Sequence, residues 1–176
     1  MQLSQKVQDF VANDLVPAIE LLNRINKNAM VCKIVELVNI PPDWIPSVAE
    51  TLSTEKYRNF GFDNIPTSSG NSLVSRLLDK FPNTHPLRYV PDLPHFETSA
   101  YPVTQLSEVL NLEDQSVNLF YFRYAVLFKL SLSDFSLIDS SLLFNWWEGD
   151  AIIFPDTFDW LIFYSLEEQW YAGRAK

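Results

Sequence analysis

Apolar residues recur at three- and four-residue steps from Leu3 through Val7, Phe10, Val11, Leu15, Ala18, Ile19 and Leu22 to Ile25. That spacing lines one face of a 3.6-residue helix and predicts a helix with a buried stripe. Pro17 falls inside it. Proline lacks the N–H and clashes with the preceding turn, which predicts a kink or a restart near Asp14. Asp14 is then placed to cap the second piece, leaving Pro17 in its tolerated first turn. Val31 to Ile40 is apolar but too short for periodicity to separate a strand from a helix. After Pro41 and Pro42, Asp43 is placed to cap a short helix ending near Leu52. Asn59 to Gly70 has loop composition. Asn71 or Ser72 can then cap a helix with Leu73, Val74, Leu77, Leu78 and Phe81 on its apolar face, ended by Pro82.

The pattern changes in the second half. Pro82, Pro86, Pro91, Pro94 and Pro102 mark an extended connection, and a short helix is expected from Val103 or Thr104 to Leu112. From Phe120 to Leu132 every second residue is apolar. Period two with aromatic and β-branched residues predicts a strand with one solvated face. Thirteen residues is long against a usual five or six, so a bulge or bend is expected near Arg123 to Ala125. Glu148-Gly149-Asp150 has turn chemistry, with Gly149 free to take positive φ. Ala151 to Phe154, Phe158 to Tyr164 and Trp170 to Ala172 follow as strands joined by short turns, which makes consecutive neighbours antiparallel. The expected fold is a single α+β domain, with N-terminal helices packed on one face of a C-terminal, mostly antiparallel, aromatic-rich sheet. Its parts are a helical half (1–81), a proline-rich connection (82–102) and a sheet half (103–176).

Charge divides the chain in the same place. Through Arg88 there are nine Lys/Arg and nine Asp/Glu; from Tyr89 there are four against thirteen, which accounts for the whole net charge of −9. Four of the five tryptophans lie between Trp146 and Trp170. Such a balance disfavours nucleic acid and anionic membrane surfaces and favours a basic protein partner. No apolar run reaches the roughly 18 residues of a membrane span. The start at Met1 has no basic region followed by an apolar stretch, and Cys32 is the lone cysteine. Both point to a reducing cytoplasm.

Most reaction chemistries are poorly supplied. Two histidines and one cysteine do not make a closed zinc site; a mixed site would have to combine His95 with Glu97 and Asp92. His85 is the other histidine, and no Gly-x-Ser-x-Gly elbow accompanies either. Four scattered glycines offer no phosphate cradle, so no cofactor is expected. What remains is carboxylate beside indole: Trp146, Trp147, Glu148 and Asp150, then Asp156 and Asp159 around Phe158 and Trp160, then Glu167 and Glu168 before Trp170. Trp and acids together serve as anchors and rim of a protein interface, and this is the expected binding set. They can also hold and hydrolyse sugars with two carboxyls about 5–9.5 Å apart, the alternative for Glu148, Asp150, Asp156 and Asp159. A third possibility is a structural subunit of a larger complex, which predicts a broad exposed apolar patch.

The ending, Asp150 to Gly173, resembles in general build the compact acidic α+β proteins that bacteria use as toxin-neutralising immunity partners. The resemblance covers under a sixth of the chain and carries over no residue role. It implies a non-catalytic inhibitor of a basic partner. The expectation is therefore an acidic protein-interaction module without catalytic residues.

Overall fold

The computed structural model describes residues 3–27, 32–38, 40–57, 72–86, 90–92, 96–98, 108, 110–121, 126–137, 150–165, 167 and 169–175. Leu3–Phe10 (α1), a π-helical turn at Val11–Leu15 and Val16–Asn26 (α2) follow one another directly. Of the kink or restart expected near Asp14, no restart occurs, and the local irregularity is the π-helical turn. There, the N–H of Val16 reaches back to the carbonyl of Val11, and this wider turn takes up the geometry that Pro17 would break in an α-helix. The start of α2 has no side-chain cap, so Asp14 is not used as one. At the other end, the Asn26 side chain ties the helix to the sheet. Its Oδ1 accepts the Cys32 N–H at 2.9 Å, and its Nδ2 donates to the Cys32 carbonyl at 3.0 Å.

The ambiguous Val31 to Ile40 run contains a strand, Lys33–Leu37 (β1), so the sheet begins in the helical half of the sequence. Pro42–Trp44 forms a 3-10 turn ahead of Ile45–Leu52 (α3), and Asp43 makes no cap there. Ser72–Lys80 is α4. The remaining strands are Phe96–Thr98 (β2), Ser116–Tyr121 (β3), Val126–Ser131 (β4), Ala151–Phe154 (β5), Trp160–Tyr164 (β6) and Trp170–Arg174 (β7). They pair in the order β1-β4-β3-β5-β6-β7-β2, each neighbour antiparallel. The helix expected around Thr104 to Leu112 falls largely outside the described residues.

The alternating run from Phe120 to Leu132 is not one strand. Phe120 pairs with Leu127 and Leu119 with Phe128, so the run holds the inner parts of two antiparallel strands. The register pairs even with odd positions, so Phe120 faces the second side and Phe128 the first; because both sides are apolar, the sequence pattern does not mark the reversal. Residues 122–125, where a bend is expected, lie outside the described residues. Leu132 opens a helix, Leu132–Leu137 (α5). Ser131 Oγ accepts the Asp134 N–H at 3.0 Å, the usual N-cap bond. Asp114, arriving from before β3, accepts the Ser133 N–H at 2.9 Å and its hydroxyl at 3.0 Å.

Both faces of the sheet are covered, which corrects the expected solvated face of the Phe120 run. On the first face, Val117, Leu119, Tyr121, Phe128, Ile153, Trp160 and Ile162 meet Val7, Leu15, Ile19, Ile25 and Val48 of α1 to α3. This is the helix-on-sheet layer that the α+β reading expects. On the second face, Phe120, Leu127, Ile152, Phe154, Leu161 and Phe163 meet Val74, Leu77 and Phe81 at α4. Each such side chain contributes about 1.5–3 kcal/mol on burial. The antiparallel order fixes where the connections lie. The start of β3, the ends of β4 and β5, the start of β6 and the end of β7 share one end of the sheet, through the pairs Ser116–Ser131, Asn118–Phe154 and Trp160–Arg174. This is called the Ser116 end. The other, where β5 begins beside Tyr121, is the Tyr121 end.

Candidate functional site

The sequence-selected residues divide between the two ends of the sheet. Trp146, Trp147, Glu148 and Glu168 lie outside the described residues. Asp150 precedes β5 at the Tyr121 end, only 4 % exposed and with φ of 62°. Positive φ is thus found at Asp150, while Gly149 is outside the described residues. Glu167, in the β6–β7 turn at the same end, is exposed, and its N–H donates to Ser165 Oγ at 3.2 Å. Asp156 and Asp159 sit in the β5–β6 turn at the Ser116 end, both exposed.

The two described tryptophans of the acidic half are core residues. Trp160 is 2 % exposed and Trp170 3 %, both on the first face, and the Trp170 ring lies 4.8 Å from that of Tyr164. Alternation explains this: Trp160 and Ile162 point the same way along β6, toward the α1–α3 layer. Neither indole is presented to a partner.

Asp156 has a built environment. Asn118, buried in β3, donates its amide to Asp156 Oδ1 at 2.7 Å and to the Phe154 carbonyl at 3.3 Å. Lys129, the residue opposite Asn118 on β4, donates to both Asp156 oxygens at 2.7 and 3.0 Å. The Asp156 side chain stays 54 % exposed. Desolvation by itself would raise its carboxyl; the Asn118 amide, the Lys129 ammonium and the charge of Arg76 outweigh that and hold it below the ordinary carboxylate value. The turn is closed by the Phe158 N–H on the Pro155 carbonyl at 3.0 Å, with Phe158 at φ 58°. A phenylalanine in that region is an outlier, held here by its ring stacking on Phe154 at 5.5 Å. Arg76 of α4 also lies over the ring, its guanidinium 4.5 Å from the centroid.

Lys129 falls within the Phe120 to Leu132 run, for which the sequence predicts one solvated face, and neither Asn118 nor Arg76 is singled out by the sequence. The available signal is Asn118 itself, a polar residue inside the apolar run Val117 to Tyr121.

Of the carboxyls proposed for sugar hydrolysis, Asp156 and Asp159 share the β5–β6 turn, Glu148 lies outside the described residues, and Asp150 is set apart from that turn. Asp150 and Asp156 stand at opposite ends of β5, six residues apart, or about 20 Å at about 3.3 Å per residue. A groove of about 670 Å³ does occur, between α1 and α3, but its lining includes Asp9, Glu50 and Tyr57 and none of the selected acids. Of the metal candidates, His95 lies outside the described residues, and among those described no three His, Cys, Asp or Glu side chains stand together as metal ligands would. Burial, then the Asp134 charge, push the Cys32 thiol up to about 12, so it stays protonated at neutral pH. Among the described residues no helix is long and apolar enough to cross a membrane. No protein-family model, curated protein or solved structure is matched by this chain.

Proposed function

We propose that this chain is a non-catalytic acidic module that binds a basic protein partner at the Ser116 end of its sheet, in the manner of an immunity-type inhibitor. The observation that carries this reading is the strand direction. It gathers Glu113, Asp114, Asp134, Asp156 and Asp159, five of the thirteen acids of the second half, at one end. Asp114 and Asp156 are engaged within the fold, by Ser133 and by Lys129. Glu113 and Asp159 are left facing solvent and would meet the partner first. Trp160 and Trp170 are interior and are not anchors in this reading, while Trp146 and Trp147 lie outside the described residues.

A partner held by opposite charge should associate quickly and dissociate as salt rises. The protein, immobilised, is used to capture partners from the cytoplasm of its own cell at about 0.01 M and about 1 M salt, where the screening length falls from about 30 Å to about 3 Å. The reading expects a basic protein retained at the lower salt and lost at the higher. Retention of nothing at the lower salt, or of a partner indifferent to salt, contradicts it. A scaffold role in a larger complex is less well supported: the large apolar side chains exposed among the described residues are Leu78 and Leu137, two separate positions and not a patch.

A further inference from the structure

On the second face of the sheet, at the Ser116 end, an acidic protein presents a cluster of cations. Lys33 of β1 is the Cα partner of Lys129 of β4, so both side chains leave the same face side by side. Like charges directly opposite each other destabilise a sheet. Asp156 offsets one of them through its bonds to Lys129. Lys33 is exposed and makes no ion pair among the described residues. Arg76 brings a third cation from α4 toward the same Asp156. Lys129 and Arg76 thus stand around one carboxylate with Lys33 beside Lys129, and counting Asp159 on the same turn still leaves a cation in excess.

The third cation is oriented. The Arg76 guanidinium lies over the Phe158 ring, and it makes no hydrogen bond among the described residues. That contact leaves its fork of N–H donors free, and such a fork can grip phosphate or carboxylate oxygens in pairs. A chain of contacts keeps the ring in place. Buried Asn118 holds Asp156, Asp156 holds the turn, and the turn holds Phe158 in a left-handed conformation that it would not adopt unaided. Strain and like-charge repulsion are both tolerated at one spot, as at sites that wait for a ligand.

We propose that Arg76, Lys129 and Lys33 form a binding site for a phosphate group. A phosphate group offers three acceptor oxygens, enough to engage the Arg76 fork and both ammonium groups at once, which the two oxygens of a carboxylate are not. This site lies on the second face and shares Asp156 and Asp159 with the acidic end of the sheet, but its test needs no protein partner and does not depend on one.

The test is a titration of the whole chain with inorganic phosphate at constant ionic strength, following the backbone amide signals of Lys33, Lys129 and Phe158 by nuclear magnetic resonance. Glycerol phosphate and acetate form parallel arms. A saturable shift is expected with phosphate and with the monoester, and affinity for acetate should be about tenfold weaker. Arg76→Gln should lose about tenfold in phosphate affinity and Lys33→Gln severalfold, with the amide spectrum away from the site unchanged to show that both variants keep the fold. Absence of a saturable shift, equal binding by Arg76→Gln, or acetate binding as well as phosphate overturns the proposal. A monoester that binds more tightly than inorganic phosphate identifies a small phosphate ester as the source; equal binding identifies the free ion.

Discussion

Asn118, buried in β3, donates a 2.7 Å hydrogen bond to the carboxylate of Asp156, thirty-eight residues further along the chain. The bond couples a strand at the centre of the sheet to the turn that places Phe158 and faces Arg76. Replacing the amide by an apolar group of similar size, Asn118→Leu, leaves Asp156 and the Phe154 carbonyl each short of a donor. A loss of about 1–3 kcal/mol is expected. Urea unfolding checks it through a lower midpoint at unchanged slope. A variant as stable as the parent would show that the Asn118 amide does not pin the turn.

The carboxyl of Asp156 lies below its ordinary value of 3.8 in the folded protein. A depressed acid adds stability that is fully present above 3.8 and is lost as the pH falls through the folded value. Other carboxylates titrate in the same range, so the informative quantity is the difference from Asp156→Asn. Urea midpoints of the parent should fall more steeply with acid than those of the variant, the two curves drawing together at the lowest pH. Parallel curves would mean that the bonds to Asn118 and Lys129 do not favour the ionised form.

Cys32 is buried with its thiol pushed up to about 12. At pH 8 the thiolate, which is the reactive species, is on the order of one part in ten thousand. Iodoacetamide should leave the native protein unmodified and label it promptly in urea, as mass spectrometry can follow. Native labelling at the rate of a free cysteine would place the thiol at the surface instead.

Phe158 holds a backbone conformation that costs a non-glycine residue about 1–2 kcal/mol. Its buried ring makes up for this. Phe158→Ala removes the ring and keeps the strain, whereas Phe158→Gly removes both. Glycine, normally the more damaging choice, should therefore be the more stable of the two by about 1 kcal/mol, with both below the parent. Calorimetric midpoints decide the order; alanine above glycine would contradict the strained turn.

The elements were legible where a local period carried them. The stripe from Leu3 to Ile25 reads directly as a helix, because three- and four-residue spacing is a property of neighbours. Pro17 reads as a break because sequence rules know the clash but not the π turn that relieves it. Phe120 to Leu132 reads as one strand because its pattern does not mark the reversal, and its interior supplies no Gly, Pro, Asn or Asp to mark a hairpin. Both faces of that hairpin are apolar, which only the arrival of α4 on the second face explains. The site was less legible still. Asn118, Lys129, Asp156 and Arg76 meet through strand pairing and helix placement across tens of residues, and no spacing rule joins them. The selected acids Asp150 and Asp156, close in sequence, are separated by the length of the strand between them.

The most direct test of the account concerns Glu113 and Asp159, the two acids left facing solvent at the Ser116 end. The double reversal Glu113→Lys with Asp159→Lys leaves the core and the Asp156 bonds untouched. Binding to the basic partner captured at low salt, measured by calorimetry against the parent, should weaken by about tenfold or more, with most of the salt dependence gone. Undiminished binding by the reversed protein would contradict an acidic surface at this end of the sheet.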